Sequence, residues 1–292
     1  MRLIVAIPTT GRPDVVVPTI QDIARQTLLP DLVLVTIARP NDIDAEAVAN
    51  LPFPVQIIVS PLGLTLQRNA ALDLLVPEDV VLFLDDDFVM VADYLLNLKE
   101  LFTLRPEVVM ATGTVLADGI HGPGLSHDDG RRIMSDSPTN IDAAPHQIYN
   151  CYGCNMAVRA APVIQYSIRF DDRMKLYAWL EDVDFSRLMA AHGQIVKSPA
   201  LRGVHLGTKT GRTSGLRIGY VQVANPLYLV RKGTMSRTRA MNIMLRNIAS
   251  NLVKSLRPEA EIDRRGRLWG NISALGDLVR GRIAPEGVLK FK

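Results

Sequence analysis

Residues 80–90 read VVLFLDDDFVM. Five apolar residues, Val80–Leu84, run directly into Asp85, Asp86 and Asp87, and the chain then turns apolar again. A short, uninterrupted apolar run of this kind reads as a strand buried on both faces. Three adjacent carboxylates repel one another and lose hydration wherever they are crowded. A buried strand that ends on them therefore calls for an opposing positive charge at its tip.

The flanking sequence repeats the strand signal. Leu3–Ile7 (LIVAI) is a second fully apolar run, broken by Pro8 and by Gly11-Arg12-Pro13; Leu32–Ile37 (LVLVTI) and Val55–Val59 (VQIIV) also read as strands. Between them lie helical patterns. Asp14 reads as the cap of a helix to about Gln26, with Pro18 near its first turn, Thr65–Leu75 has helical periodicity, and Asp93 reads as the cap of a helix to Leu104. Val108–Val115 returns to strand. Strands alternating with helices predict an α/β fold with a mostly parallel central sheet flanked by helices. Such sheets bind ligands at the carboxyl ends of their strands. That rule puts Pro8–Arg12 and Asp85–Asp87 on one rim.

Ala117–Asn150 is rich in Gly, Asp, Ser, Pro and His with no sustained period, and is expected to form a mobile flap or acceptor-side loop. Beyond it, Cys154–Arg159 reads as a strand, Leu180–His192 as a helix ending at Gly193, and Gln194–Lys197 and Leu201–His205 as two short strands. From Leu216 onward the pattern is helical, with Met241–Leu256 the clearest amphipathic segment. The expected organisation is a catalytic unit over residues 1–215, with a nucleotide-binding half to about 115 and an acceptor half after it. A helical, basic C-terminal region follows over 216–292.

The 292 residues are 48% hydrophobic and 22% charged, ordinary for a globular chain. No apolar run approaches the roughly 20 residues needed to span a bilayer, and LIVAI is too short for a secretory leader. A cytoplasmic location is expected, with the inner face of the cell membrane as a peripheral site. Cys151 and Cys154 lack a second pair to complete a zinc site, so two partly buried thiols are expected. The net charge of +3 conceals an asymmetry: residues 1–200 carry −10 and residues 201–292 carry +13. A basic tail on an acidic body suits phosphates, nucleic acid or an anionic lipid surface. Nucleic acid ranks low, because the sequence has no helix-turn-helix, RRM or zinc signature. The amphipathic helices equally suit packing on the catalytic unit or on a second copy of the chain.

Asp85–Asp87 has two readings. Acids before a helix complement its dipole. They also suit Mg²⁺ or Mn²⁺, which take oxygen ligands from one or two carboxylates and complete their shell with phosphate. Asp182, in LEDVDF, is likewise either a first-turn acid or a general base. Asp184 is the runner-up for the base, and Arg187, three residues on, is placed to pair with it. His205 at a strand end is either structural or a metal ligand, and an imidazole there favours Mn²⁺ over Mg²⁺. Lys209 and Arg212, in GTKTGRTSG, belong either to a basic loop over a diphosphate or to a solvated linker. Trp179 either stacks on a sugar or fills core.

Five motifs in order resemble the inverting GT-A fold glycosyltransferases of family 2: Pro8-Thr9-Thr10-Gly11-Arg12, Gln67-Arg68-Asn69, Leu84-Asp85-Asp86-Asp87, Gly153-Cys154-Asn155-Met156, and Glu181-Asp182-Val183-Asp184 with Arg187. His205 follows as in that family. The resemblance covers about residues 1–210. It implies that Pro8, Thr9, Arg12 and Arg68 hold the nucleotide of a sugar donor, with Asp85 and Asp86 near the ribose. It makes Asp87 the ligand of an Mn²⁺ or Mg²⁺ ion bridging the donor diphosphate, His205 a further ligand, and Asp182 the catalytic base. Asn155, Trp179 and Glu181 fall on the acceptor side. The family's acidic residue after the second strand is missing from its usual place. Asp42 is the displaced candidate, so a UDP-sugar is only the default donor. The acceptor would be a hydroxyl of a glycan or lipid-linked molecule in polysaccharide biosynthesis. Two other readings stand beside this one: a sugar-phosphate nucleotidyltransferase, although only Gly11 and Arg12 stand where such enzymes have a Gly-rich basic loop, and a noncatalytic sugar-nucleotide or membrane-surface binding module.

Overall fold

The computed structural model describes residues 1–137, 144–211 and 213–291. The chain forms β1 (Arg2–Pro8), α1 (Pro13–Ile23), β2 (Leu32–Ile37), β3 (Val55–Val59), α2 (Leu64–Leu72), β4 (Asp79–Leu84), β5 (Phe88–Met90), α3 (Tyr94–Leu104) and β6 (Val108–Asp118). It continues through α4 (His127–Ser135), β7 (His146–Gln147), β8 (Asn155–Arg159), α5 (Ala160–Gln165), α6 (Glu181–Met189), β9 (Gln194–His205), α7 (Gly215–Lys232), α8 (Arg237–Ser255) and α9 (Arg264–Val279).

The strands build one sheet in the order β3-β2-β1-β4-β8-β6-β9-β5, with β7 on the side of β9. β3, β2, β1 and β4 are parallel, and β8 enters antiparallel between β4 and β6. This is the α/β sheet flanked by helices that the alternation predicts. Strand order reverses between β1 and β4, the place where a parallel sheet opens a crevice at its carboxyl edge. Ala6 pairs with Phe83 in that ladder. Extending the register by two residues sets Pro8 level with Asp85. At the amino end, the Arg2 guanidinium forks onto Asp79 at 2.8 and 2.9 Å, and Asp79 is fully buried. That bidentate pair locks the β1–β4 register from below.

The central strands β1, β2 and β4 are buried on both faces. One apolar layer packs α1 and α3 against Val5, Ile7, Val33, Val35, Leu82 and Leu84. The other packs α2, α5 and α6 against Ile4, Ala6, Val81 and Phe83. Alternate residues of β1 and β4 serve opposite layers, which is why these strands are apolar at every position from Leu3 to Ile7 and from Val80 to Leu84.

Several local expectations are corrected. α1 begins at Pro13 after Arg12 and ends at Ile23, so Asp14 lies inside its first turn and Pro18 sits in the helix interior. Asp93 occupies the cap of α3 but its side chain makes no capping bond. Gln194–Lys197 and Leu201–His205 are one twelve-residue strand. Ala117–Asn150 is not irregular throughout. It contains α4, whose start is fixed by a reciprocal Ser126–Asp129 capping box, and β7. The expected flap also takes in residues 138–143, which lie outside the described residues. Cys151 and Cys154 are free and fully buried, not partly so.

The C-terminal helices pack closely. A Cβ on Gly219 of α7 would lie 2.0 Å from the Arg267 carbonyl oxygen of α9, so the two backbones meet there. Asn251 of α8 donates to Gln222 of α7 at 2.8 Å and to Asn271 of α9 at 2.9 Å, a buried polar knot that fixes the three helices relative to one another. Among the described residues no helix is long and apolar enough to cross a membrane.

Candidate active site

The acidic triplet follows β4 directly, and its three members are in three environments. Asp86 is closed off: it accepts from Thr9 Oγ1 at 2.6 Å and from Arg12 Nε at 3.0 Å, and pairs with a second Arg12 nitrogen. Burial pushes its carboxyl up to about 7, against the opposing pull of Arg12. Asp87 accepts from the Thr208 N–H at 2.8 Å and faces His205 Nε2 at 3.3 Å. Burial raises its pKa too, but the bond to His205, with Arg12 behind, outweighs burial and lowers it to about 2. The side chain of Asp85 is 32% exposed, against 5% for Asp87 and none for Asp86, so Asp85 is the member most open to solvent.

His205 is delivered by the sheet. β5 turns back immediately after the triplet and pairs antiparallel with β9, setting Phe88 opposite His205. β6 pairs with β9 on the other side, setting Asp118 opposite the same histidine. Two glycines permit these close approaches. A Cβ on Gly203 would lie 2.5 Å from the Phe88 ring. Gly207 has φ +66°, and a Cβ there would fall 2.2 Å from the Gly119 carbonyl carbon. His205 Nδ1 lies 2.9 Å from Asp118 Oδ1, and the Tyr152 hydroxyl donates to the other Asp118 oxygen at 3.0 Å. Burial lowers the imidazole pKa, but Asp118 and Asp87 more than reverse it and raise the ring to about 10. The carboxylate behind Nδ1 orients Nε2 toward Asp85 and Asp87, as second-sphere carboxylates orient metal-binding histidines.

One ligand atom from each of Asp85, Asp87 and His205 lies within 4.8 Å of the other two. Two carboxylates and an imidazole form an oxygen–nitrogen donor set that fits Mn²⁺ well and Mg²⁺ through its carboxylates. The residues present therefore fit a divalent cation.

Asp42, the displaced acid, makes four bonds to the neighbouring loops. It accepts from the N–H groups of Gly11 at 2.7 Å, Ala38 at 2.9 Å and Arg39 at 2.8 Å, and from Thr10 Oγ1 at 3.1 Å. Burial raises its pKa, and these donors more than offset that and lower it. Asp42 thus stitches the Thr10–Gly11 turn to the end of β2. Gln67 of α2 does the same from below, donating to the carbonyls of Thr9 and Thr36 at 2.8 Å each.

Arg68, expected at the nucleotide, is 1% exposed and lies beneath the cleft. It pairs with Glu181, donates to the Gly153 carbonyl at 2.8 Å, and comes within 3.5 Å of Asp85. The Gly153 N–H in turn donates to Asp182 Oδ2 at 3.0 Å, and the Val183 N–H donates to Oδ1 at 2.8 Å. A continuous set of contacts thus joins Asp182 through Gly153 and Arg68 to Asp85. A Cβ on Gly153 would crowd Glu181 Oε1 at 3.2 Å. Burial raises the Asp182 pKa against the lowering by Arg68 and the two backbone donors, and Glu181 is raised well above its ordinary value by burial.

The approach to α6 is strained. Leu176, Ala178 and Leu180 all have positive φ, at 59°, 52° and 76°, a conformation costing about 1 kcal/mol or more for each non-glycine residue. The C-terminal helices hold it. Asn225 of α7 donates to the Trp179 carbonyl at 2.7 Å, and the Trp179 side chain packs against the α7–α9 core. Lys232 bridges Asp171 and Asp184 at 2.6 Å each, and Thr234 donates to Asp184 at 2.6 Å. The expected Asp184–Arg187 pair is absent among the described residues, because Lys232 and Thr234 take Asp184. Arg187 instead donates to the Tyr149 carbonyl at 3.2 Å and lies over its ring.

Asn155 is fully buried and accepts from Thr112 Oγ1. Lys209 donates to the carbonyls of Gly119 and Ile120 at 3.1 Å each, which ties the loop after β9 to the end of β6. Arg212 lies outside the described residues. Asp118, Tyr152, Thr208 and Lys232 were not anticipated. Asp118 carried a usable signal, an acid at the carboxyl end of a strand, but the expected strand stopped at Val115 and missed it.

The chain matches the profile of glycosyl transferase family 2 over residues 4–166. Similar solved structures include S. aureus TarS 1–349 in complex with UDP-GlcNAc, at 17% identity and TM-score 0.57, covering 99% of this chain and 83% of that one. TarS 1–349 in complex with UDP aligns at 15% identity and TM-score 0.56, over 97% and 83% of the two chains. The mannosyltransferase PcManGT from Pyrobaculum calidifontis, in complex with GDP-Man and Mn²⁺, aligns at 15% identity and TM-score 0.55, over 99% and 78%. No curated protein sequence matches the chain. At these identities the likeness is one of fold, the GT-A arrangement of sheet and helices.

Proposed function

Because the chain belongs to glycosyl transferase family 2, we propose that it transfers a sugar from a nucleoside diphosphate-sugar to a hydroxyl of a glycan or lipid-linked acceptor in polysaccharide assembly, inverting the anomeric centre. The observation that carries this reading is the contact chain that links the Asp85–Asp87–His205 donor set to Asp182 through Arg68 and Gly153. A UDP-sugar is the first donor to test and a GDP-sugar the second, since the structural neighbours hold one or the other. The catalytic unit in this reading is residues 1–215, braced by α7.

Thr9 and Arg12, held in place by Asp86, line the nucleotide end of the cleft, and Asp85 faces the donor ribose. Asp87 and His205, with Asp85 beside them, would hold Mn²⁺ or Mg²⁺. Such a cation offsets the negative charge that develops on the departing diphosphate, where a proton donor would otherwise be needed. Asp182 is the base. Its two oxygens are oriented by the Gly153 and Val183 N–H groups, and its raised pKa brings its basicity closer to that of an effective proton acceptor. The acceptor oxygen bonds to the anomeric carbon as the carbon–oxygen bond to the diphosphate breaks, and the hydroxyl proton passes to Asp182. One displacement with one base inverts the configuration.

The experiment is a donor screen with Mn²⁺, followed by NMR of the product linkage. The reading expects diphosphate release coupled to a product of opposite anomeric configuration. A retained configuration, or full turnover by Asp182→Asn, contradicts it.

A further inference from the structure

The C-terminal helices leave a face that the fold does not use. On α8, Ala240, Met244 and Asn251 point inward and are buried. Met241, Leu245, Leu252 and the capping Leu256 lie at spacings of four, seven and four residues, on one helical face. Leu252 and Leu256 are 55% and 80% exposed. On α9, Gly270, Asn271 and Ala274 point inward, while Trp269, Ile272 and Val279 are exposed, Trp269 at 65% and Val279 at 89%. Single exposed apolar residues are ordinary, but two neighbouring helices each presenting a stripe of them call for a covering partner.

The charges around these stripes indicate which partner. α8 carries four cationic residues and no acid. Arg246 and Arg257 flank its apolar stripe, and Arg265 and Arg280 flank that of α9. All four are exposed, and none is paired with a carboxylate among the described residues. The catalytic body differs, with Arg12, Arg68 and Arg131 all engaged by acids. Part of the +13 balance of residues 201–292 thus lies beside exposed leucine, valine and tryptophan. A second copy of the chain would bring like charges together across such a face. An anionic bilayer surface complements both features: apolar side chains enter the acyl boundary while arginines meet lipid phosphates.

We propose that the exposed face of α8 and α9 is a docking surface for an anionic membrane, the helices lying in the plane of the interface without crossing it. This goes beyond the transfer reaction and does not depend on it. Trp269 enters the headgroup layer, where an indole is favoured.

The test uses the full chain and vesicles, with binding as the readout. The protein co-sediments with phosphatidylglycerol vesicles, fails to do so with phosphatidylcholine vesicles, and is released by high salt. Its Trp269 emission shifts to the blue on binding, and Trp269→Phe removes the shift. Arg246→Gln with Arg257→Gln weakens partitioning about 30-fold, at about fivefold for each near-surface cation. Leu252→Ser with Leu256→Ser weakens it even at low salt. These side chains are exposed, so each double variant keeps the parent melting temperature. Failure to bind phosphatidylglycerol vesicles, or equal binding to both lipids, overturns the proposal. So does light scattering that shows a vesicle-indifferent dimer dissociated by the leucine substitutions.

Discussion

Arg68 and Glu181 form a buried ion pair beneath the cleft, 1% and 6% exposed at their side chains, and the pair couples α2 to the helix that carries Asp182. The Arg68 guanidinium also holds the Gly153 carbonyl and approaches Asp85. One side chain therefore sets the distance between the two ends of the site. Removing it strands Glu181 as an uncompensated buried acid. Arg68→Met is expected to lose about 3–5 kcal/mol of stability, measured by urea unfolding. Arg68→Met with Glu181→Met should recover much of that loss while turnover stays low. A single variant as stable as the parent would remove the pair from the account.

Asp182 supplies the pH prediction. Its pKa is raised above the ordinary 3.8, chiefly by burial. A base works only when deprotonated, so turnover is full above the raised pKa and falls as pH drops through it. The acid limb of kcat/KM should therefore lie above the ordinary carboxylate value. Asp182→Asn should lower kcat by about 10²–10⁴-fold, leave donor binding nearly unchanged, and abolish the limb. An acid limb at the ordinary aspartate value would contradict the assignment.

Much of this was legible in the sequence, and the reasons are physical. Leu3–Ile7 of β1 and Val80–Leu84 of β4 are apolar at every position because both faces of these central strands are covered, so their carboxyl ends, and the residues on that rim, could be read directly. Asp85, Asp87 and His205, which the motifs name, come together with one ligand atom from each within 4.8 Å of the others, and Asp182 is linked to Asp85 through Gly153 and Arg68. What was missed depends on strand pairing over long separations. Asp118 meets His205 only because β6 and β9 pair in a register that no local pattern encodes. Arg187 was assigned to Asp184 by helical spacing, yet Lys232 reaches Asp184 from 48 residues away. Arg68 was placed at the nucleotide by the family resemblance alone; its burial becomes evident only once Glu181 is placed against it.

Lys232 gives a third prediction. Asp184 is fully buried and is neutralised by Lys232. Lys232→Met should destabilise the chain by about 3 kcal/mol, seen as a lowered unfolding midpoint, and should release α7 from α6. Lys232→Arg keeps the charge and should recover part of the loss. A methionine variant with an unchanged midpoint would show that α7 does not brace the base helix.

Gly207 gives a fourth. Its φ of +66° and the 2.2 Å approach of a Cβ to the Gly119 carbonyl carbon leave no room for a side chain. Gly207→Ala should cost about 1 kcal/mol or more from the backbone alone. It should also draw the neighbouring Thr208 N–H away from Asp87, weakening Mn²⁺ binding. Thermal melts and Mn²⁺ titration measure the two effects, and an alanine variant with wild-type values in both would contradict the close crossing.

The central claim is that Asp87, with Asp85 and His205, holds a divalent cation against the diphosphate of a sugar donor. Isothermal titration of UDP and of GDP, with and without Mn²⁺, tests it most directly. The wild-type chain should bind at least one of them about tenfold or more tightly when Mn²⁺ is present, a gain of about 1.4 kcal/mol, and Asp87→Asn should lose that gain while keeping its fold. Equal affinity with and without Mn²⁺ in the wild type, or a full Mn²⁺ gain in Asp87→Asn, would contradict it.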